Sequence, residues 1–293
     1  MTDPTLPTEL HEPVHMVDTH QHLWMPSERR YEWLETAGAP LDADFGPELV
    51  AADVASAGVT ATVLVQAADT YEDSFYMLSV AAAVPTVKGV VAWAPLDRMP
   101  EARAALELYA ASPTVSGIRV LNHNYADPHW LLRDDVTATL ALLAPLGFSL
   151  DVVSVIPEHL TMIAELAARH PGLSVVIDHL AKPDVAGHGW QPWADLLADA
   201  ATHPNVNVKL SGLNTASAPD WTWRDWQPYV DHALEHFGPS RMMLGSDWPV
   251  ATLAGDYQGV WLAQRAVIAG LSTGEQDDIL YRTAARVYSL DLS

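Results

Sequence analysis

An α/β fold, a single (β/α)8 barrel of the TIM type, is what this sequence predicts, and three observations predict it. Short β-branched runs recur eight times, their starts roughly 25 to 45 residues apart, the length of successive strand–helix units. Amphipathic segments with helical spacing fill most of the gaps between them. The 293 residues, 49% of them apolar, suffice for one such barrel with a sizeable core. The strand pattern taken alone also fits an open doubly wound sheet.

Residues 1–15 carry Pro4, Pro7 and Pro13 and are expected to form an extended arm; residues 16–293 form the barrel domain. The first strand is expected over Met16–Trp24 and the second over Val59–Gln66, where Gly58 supplies the left-handed residue an αβ turn needs. Between them Gly38–Glu48 is the one long polar excursion, expected to fold over the barrel mouth. Strands at Val87–Leu96 and Val115–Leu121 flank a helix at Arg103–Ala110. The helix Val136–Ala144 stops at Leu146-Gly147, and Gly147 leads into the fifth strand, Phe148–Val155. The helix Glu158–Arg169 stops at His170-Pro171-Gly172 before the sixth strand, Ser174–Leu180. The helix Trp193–His203 precedes the seventh strand, Val206–Leu213. The helix Trp226–Phe237, ended by Phe237-Gly238-Pro239, precedes the eighth, Met242–Val250. Thr273–Ser293 reads as a closing helix packed back on the barrel.

Composition excludes several functions. Fifteen Lys and Arg stand against 37 Asp and Glu, a net charge of −22. That argues against nucleic acid, whose affinity for proteins comes from clustered cations, and against an anionic membrane surface. With no cysteine there is no thiol nucleophile and no thiolate metal site. No basic-then-apolar leader is visible and no apolar run is long enough to span a bilayer, so a cytoplasmic location is expected. A homo-oligomer remains compatible with all of this.

In such barrels chemistry belongs at the C-terminal ends of the strands. His20 and His22 stand two apart at the end of the first strand, so both imidazoles point into the barrel. Asp178-His179 follows the apolar run of the sixth strand, and Asp247 follows the eighth; such groups are costly to bury without partners. Each one singly could instead fix a loop by hydrogen bonding. Together, around one cavity, they point to catalysis. Two other patterns are decoys. His11-Glu12-Pro13-Val14-His15 matches a zinc-protease motif that needs a helix, which Pro13 opposes. Gly245-Ser246-Asp247 is not the nucleophile elbow of serine hydrolases.

The segments VDTHQHLW, SGIR, IDHLAKP, VKLSGL and GSDWPV, in this order, resemble the amidohydrolase superfamily, and within it the sugar-lactonase branch. The resemblance runs from about Val17 to Tyr288. YEWL, VLVQAA and DPHWLLRDDV agree with it. It implies the barrel and hydrolysis of a sugar-derived lactone such as an L-fucono- or L-rhamnonolactone. Typical metal-dependent members carry a His at the end of strand five; here that strand has none, and His159, beyond Pro157, is expected to open a helix. The resemblance therefore implies no tightly bound metal. A weakly held divalent ion such as Zn²⁺ would take His20, His22, His179 and Asp247.

For lactone opening, Asp247 is the expected general base toward water, while His20, His22 and His179 polarise the carbonyl. Arg119, at the end of the fourth strand, is a candidate contact to a substrate or product carboxylate, with a salt bridge to a neighbouring strand-end carboxylate as the competing reading. Trp24, Trp93, Trp130 and Trp248 are candidates to stack on a sugar ring, with ordinary core packing as the alternative. Lys182 and Asn122 are candidate hydroxyl binders. Other readings are a metal-dependent amidohydrolase or decarboxylase of the same superfamily, and a non-catalytic sugar-binding barrel.

Overall fold

The computed structural model describes residues 6–7 and 9–293. Eight parallel strands pair in chain order: β1 (Val17–Gln21), β2 (Ala61–Val65), β3 (Val87–Ala92), β4 (Val115–Val120), β5 (Ser149–Val152), β6 (Val175–Ile177), β7 (Val206–Leu210) and β8 (Met242–Leu244). The ring closes beyond β8, where His22 N–H donates to Trp248 O at 2.7 Å and Asp247 N–H to His20 O at 2.8 Å. Closure thus happens at the strand ends that carry His20, His22 and Asp247, and it excludes the open sheet.

Side chains alternate as the strand period demands. In β2, Ala61, Val63 and Val65 enter the barrel interior, while Leu64 joins the layer between strands and helices. Val17, Val91, Val176 and Met243 fill the interior with them, and Val287, Tyr288 and Leu290 pack against that inner cluster. The closing helix is broken into Thr273–Asp277, a π-turn at Asp278–Arg282 and Thr283–Val287. It ends at Val287, short of the expected Ser293.

Each expected strand is present, and six of the eight overrun their hydrogen-bonded ladders on the C-terminal side by two residues or more. The cause is burial: Leu96, Leu180 and Leu213 lie beyond the ladder yet are as buried as strand residues, so the apolar signal continues where pairing stops. Helix starts err the other way. The helix expected from Trp226 begins at Trp223 behind a Thr222–Asp225 capping box, and that expected from Arg103 begins at Met99, because polar first turns carry no apolar periodicity. The helix expected to run to Ala144 ends at Leu140, before a 3-10 turn at Ala144–Leu146. Gly58 and Gly147 both have positive φ, 73° and 78°.

Pro4 and the other residues through 5, with residue 8, lie outside the described part. The rest of the N-terminal segment has no helix over residues 11–15, so the zinc-protease pattern is not realised. It lies along the barrel instead: His11 Nε2 donates to Asp277 at 2.7 Å, and Arg265 binds His11 O and Glu12. The excursion after β1 returns to the barrel's C-terminal end. There Phe45 and Trp24 exchange backbone hydrogen bonds, and Phe45 packs edge-on against Trp248. Among the described residues no helix is long and apolar enough to cross a membrane.

Candidate active site

His20 and His22 both face inward from β1 and its end, as their spacing requires, and both are buried. The His22 Nδ1–H donates to Val65 O at 2.7 Å, which turns the Nε2 lone pair toward the cavity. His20 is more constrained. Its Nδ1 meets Lys209 Nζ at 3.1 Å and Asp178 Oδ1 at 3.3 Å; its Nε2 meets Arg119 Nη1 at 3.0 Å and His22 Nε2 at 3.1 Å. Two proton arrangements satisfy this ring. In one, Lys209 donates to Nδ1 and Nε2–H donates to His22. In the other, Nδ1–H donates to Asp178 and Nε2 accepts from Arg119. Burial above all, together with the Lys209 charge, pushes the His20 pKa well below its usual value, so the ring is neutral.

At the end of β6 the backbone does something no sequence pattern announces. His179, Leu180, Ala181 and Lys182 all have left-handed φ, from 49° to 58°, without a glycine among them. Such residues cost about 1–2 kcal/mol each. Several bonds hold the turn: Lys182 N–H to His179 O at 2.8 Å, Trp193 Nε1–H to Leu180 O at 2.7 Å, and Lys182 Nζ to Gly212 O and Thr215 Oγ1 at 3.1 and 2.8 Å. The His179 Nδ1 lies 2.8 Å from Ser211 Oγ. The turn brings both His179 and Lys182 to one cavity.

Asp247 also has a left-handed backbone, with φ 59°. Its preceding residues are tied to β1: Ser246 N–H donates to buried Asp18 at 2.7 Å, and a Cβ at Gly245 would meet His20 Cβ at 2.6 Å, so only glycine fits. Gly212, likewise left-handed, leaves room for the site; a Cβ there would meet His179 Nδ1 at 2.8 Å and Asp247 Oδ2 at 2.9 Å. Asp247 Oδ1 consequently sits 3.6 Å from His22 Nε2 and 3.9 Å from the Nε2 atoms of His20 and His179.

Electrostatics assign charges to this group. Burial works to raise the Asp247 pKa, but His179, the contact to His22 and the Lys182 ammonium outweigh it and hold the carboxylate below its usual range. Burial takes the His179 imidazole down to about 3, against the pull of Asp247. The site therefore sets one carboxylate beside the neutral imidazoles of His20 and His179. A sign follows for stability. Between pH 6.5 and 3 unfolded His179 takes up a proton that the folded form refuses, so its contribution falls as pH is lowered through that window. His179→Gln removes this dependence. The difference in unfolding free energy between wild type and variant should narrow on acidification from 6.5 toward 3, read by urea titration at each pH.

Beneath the site lies a layer of buried charge, of which sequence reasoning found Arg119 and Asp178 but missed Lys209 and Asp151. Lys209 of β7, fully buried, bonds Asp151 at 2.6 Å and approaches Asp178 Oδ1 at 3.4 Å; Arg119 Nη1 reaches Asp178 Oδ2 at 3.0 Å. Tyr288 O–H donates to Asp151 at 2.7 Å. Asp178 is kept well below its usual range: Lys209, His20 and Arg119 overcome a larger burial penalty. Asp151 has no second cation, and burial pushes it up despite Lys209. The available signal was alternation: Asn207 and Lys209 interrupt the apolar run of β7 at inward positions.

The cavity above these groups, about 230 Å³, is lined by His22, His179, Asp247, Arg119 and Lys182, with Trp24 and Trp33 on one wall. Arg119 makes the competing contact, a salt bridge to Asp178, while its side chain borders the cavity. The expected His20, Trp93, Asn122, Trp130 and Trp248 are not among its lining residues; His20 lies behind His22, its ring nitrogens taken by Lys209, Asp178, Arg119 and His22. Asn122 spends its amide on Val153, accepting from N–H at 3.2 Å and donating to O at 2.9 Å. Trp130 packs against Tyr125, Trp248 against Phe45, and Trp93 against Tyr71. Trp33, supplied by the loop after β1 and held by Nε1–H to Ala67 O at 2.8 Å, was missed.

The donor set also fits a divalent metal. Ligand atoms of His20, His179 and Asp247 lie within 4.8 Å of one another, with His22 beside them. The Nε2–Oδ1 spacings of 3.6–3.9 Å are a few tenths wider than the roughly 3.4 Å separating two ligands of a tetrahedral zinc. Arg119 competes for the same His20 lone pair. No ligand-bearing histidine ends β5; His159 lies in the first turn of the helix Pro157–Arg169.

A model of the amidohydrolase family matches residues 17–290. An L-fucono-1,5-lactonase of Burkholderia ambifaria is 38% identical over 250 residues, 84% of this chain and 85% of that protein. One of Burkholderia multivorans is 30% identical over 288 residues, 94% of this chain and 96% of the other. The crystal structure of a Burkholderia multivorans amidohydrolase with bound zinc superposes with a TM-score of 0.85 at 29% identity, covering 95% of this chain and all of that one.

Proposed function

Because the chain belongs to the amidohydrolase family, we propose that it hydrolyses a sugar-derived lactone, of the L-fucono-1,5-lactone kind, to the open sugar acid. The observation that carries this reading is the Asp247 carboxylate, ionised and set among His22 and the neutral imidazoles of His20 and His179 in a cavity walled by indoles. The two lactonase relatives support the substrate class.

Asp247 takes a proton from water as its oxygen attacks the ester carbonyl carbon. The His22 and His179 imidazoles and the Lys182 ammonium face the charge that grows on the carbonyl oxygen, in a site where burial strengthens each such interaction. The bond from that carbon to the ring oxygen then breaks, and Asp247 returns its proton to the departing alkoxide. The acid so formed gives up its remaining water-derived proton to solvent, and Arg119 at the cavity edge is placed to hold the resulting carboxylate beside its free hydroxyl. Trp24 and Trp33 offer apolar faces to the carbon-bound hydrogens of the ring. A divalent ion, where His20, His22, His179 and Asp247 hold one, would supply Lewis-acid polarisation of the carbonyl. Such an ion is weakly held and not required, because in either proton arrangement the His20 Nε2 is already committed, to Arg119 or to His22.

The test is the initial rate of acid release from a panel of sugar 1,4- and 1,5-lactones by chelator-treated protein, with spontaneous hydrolysis subtracted. Rapid opening of one lactone, unchanged by chelator, is the expected result. Turnover that appears only when zinc or manganese is restored would transfer the reaction to the metal-dependent reading, which the donor spacing and the zinc-bearing relative favour. A silent panel with and without metal would remove the lactonase reading altogether.

A further inference from the structure

On the outside of the barrel, away from the cavity, the helix Trp223–Phe237 presents His232, Glu235 and His236 at positions i, i+3 and i+4, one surface patch of a helix. One ligand atom from each lies within 4.8 Å of the others. We propose that these three side chains form a binding site for a divalent transition-metal ion.

Spacing is not the only support. The His232 Nε2–H donates to Ala194 O of the helix Trp193–Ala201 at 2.9 Å, which fixes its tautomer and leaves Nδ1 as a lone-pair donor. Metal-ligating histidines are commonly oriented in this way, by a carbonyl on the other ring nitrogen. The same ring is gripped by Trp190 and Trp193, with centroids at 5.1 and 5.4 Å, so it loses little freedom on binding. The His236 ring stands 4.5 Å from it. Among the described residues, neither the His236 ring nitrogens nor the Glu235 carboxylate has a hydrogen bond or ion pair.

The surroundings favour a cation. His236 lies in the last turn of its helix, where exposed carbonyls give a partial negative charge, and the whole chain carries −22. Two imidazoles and one carboxylate suit Zn²⁺, Ni²⁺ or Cu²⁺ rather than the oxygen-seeking Mg²⁺ or Ca²⁺.

Equilibrium dialysis of tag-free protein against ZnCl₂ tests the site. Asp247→Asn serves as background, so that binding inside the cavity is weakened in every sample. Adding His236→Ala, a side chain with no hydrogen bond to lose, should remove one equivalent of zinc. Glu235→Gln should weaken that equivalent at least ten-fold. In the otherwise wild-type chain His236→Ala should leave lactone hydrolysis unchanged, which separates this site from the cavity. Equal zinc stoichiometry with and without His236→Ala, whatever its value, would overturn the proposal.

Discussion

Asp247→Asn should lower kcat on the preferred lactone by about 10²- to 10⁴-fold, the usual contribution of a positioned general base. The amide keeps the size of the carboxylate and leaves the backbone bond from Asp247 N–H to His20 O in place, so the ring should still close. What disappears is the only carboxylate bordering the cavity among the described residues and with it the ability to accept a proton from water. KM should change much less than kcat, because the Trp24 and Trp33 wall and Lys182 are untouched. Steady-state kinetics with thermal unfolding of the same samples checks this. A variant that folds and keeps more than a tenth of wild-type kcat would remove Asp247 from the chemistry. It would also reopen the reading of a barrel that only binds sugars.

Lys209→Met should destabilise the protein by about 3–5 kcal/mol, the usual cost of removing one member of a buried ionic group. Lys209 is fully buried and bonds Asp151 at 2.6 Å, with Asp178 Oδ1 at 3.4 Å. Without it Asp178 retains Arg119, but Asp151 keeps only the Tyr288 and Ser149 hydroxyls. The methionine fills the space, so the loss reports charge rather than a cavity. Adding Asp151→Asn should recover part of it, since an amide needs no counter-ion. Urea unfolding of the two single variants and the double variant measures this; a loss below about 1 kcal/mol for Lys209→Met would show that the layer carries little stability. The same substitution removes the donor to His20 Nδ1 and leaves Asp178 as the partner of that nitrogen.

How legible this protein is in its sequence varies with the range of the interaction involved. The eight strand–helix units were readable because strand and helix periods are local properties of ten or so residues; that they close into a barrel was legible only through the family resemblance. His20 and His22 were readable for the same reason: a spacing of two on a strand settles that they point together. Asp178, His179 and Asp247 were readable as charge standing at the end of apolar runs.

Other features depended on partners far apart in the chain. Asn122 resembles a surface hydroxyl binder in sequence, yet Val153 consumes both ends of its amide. Trp33 looks like one aromatic of a polar loop, yet a single bond to Ala67 O holds it at the cavity. Lys209 reads as an ordinary strand residue until Asp151, Asp178 and His20 are brought around it from three other strands. The left-handed turn from His179 to Lys182 opposes local preference at four consecutive residues. No propensity could announce it, because what stabilises it comes from Trp193, Gly212 and Thr215. By itself, then, the sequence determined the eight strand–helix units, the strand ends that carry chemistry and most of the residue types found there. Only the tertiary structure decided which of those side chains face the cavity and in what charge state, because both depend on desolvation and on partners that folding alone brings within hydrogen-bonding distance.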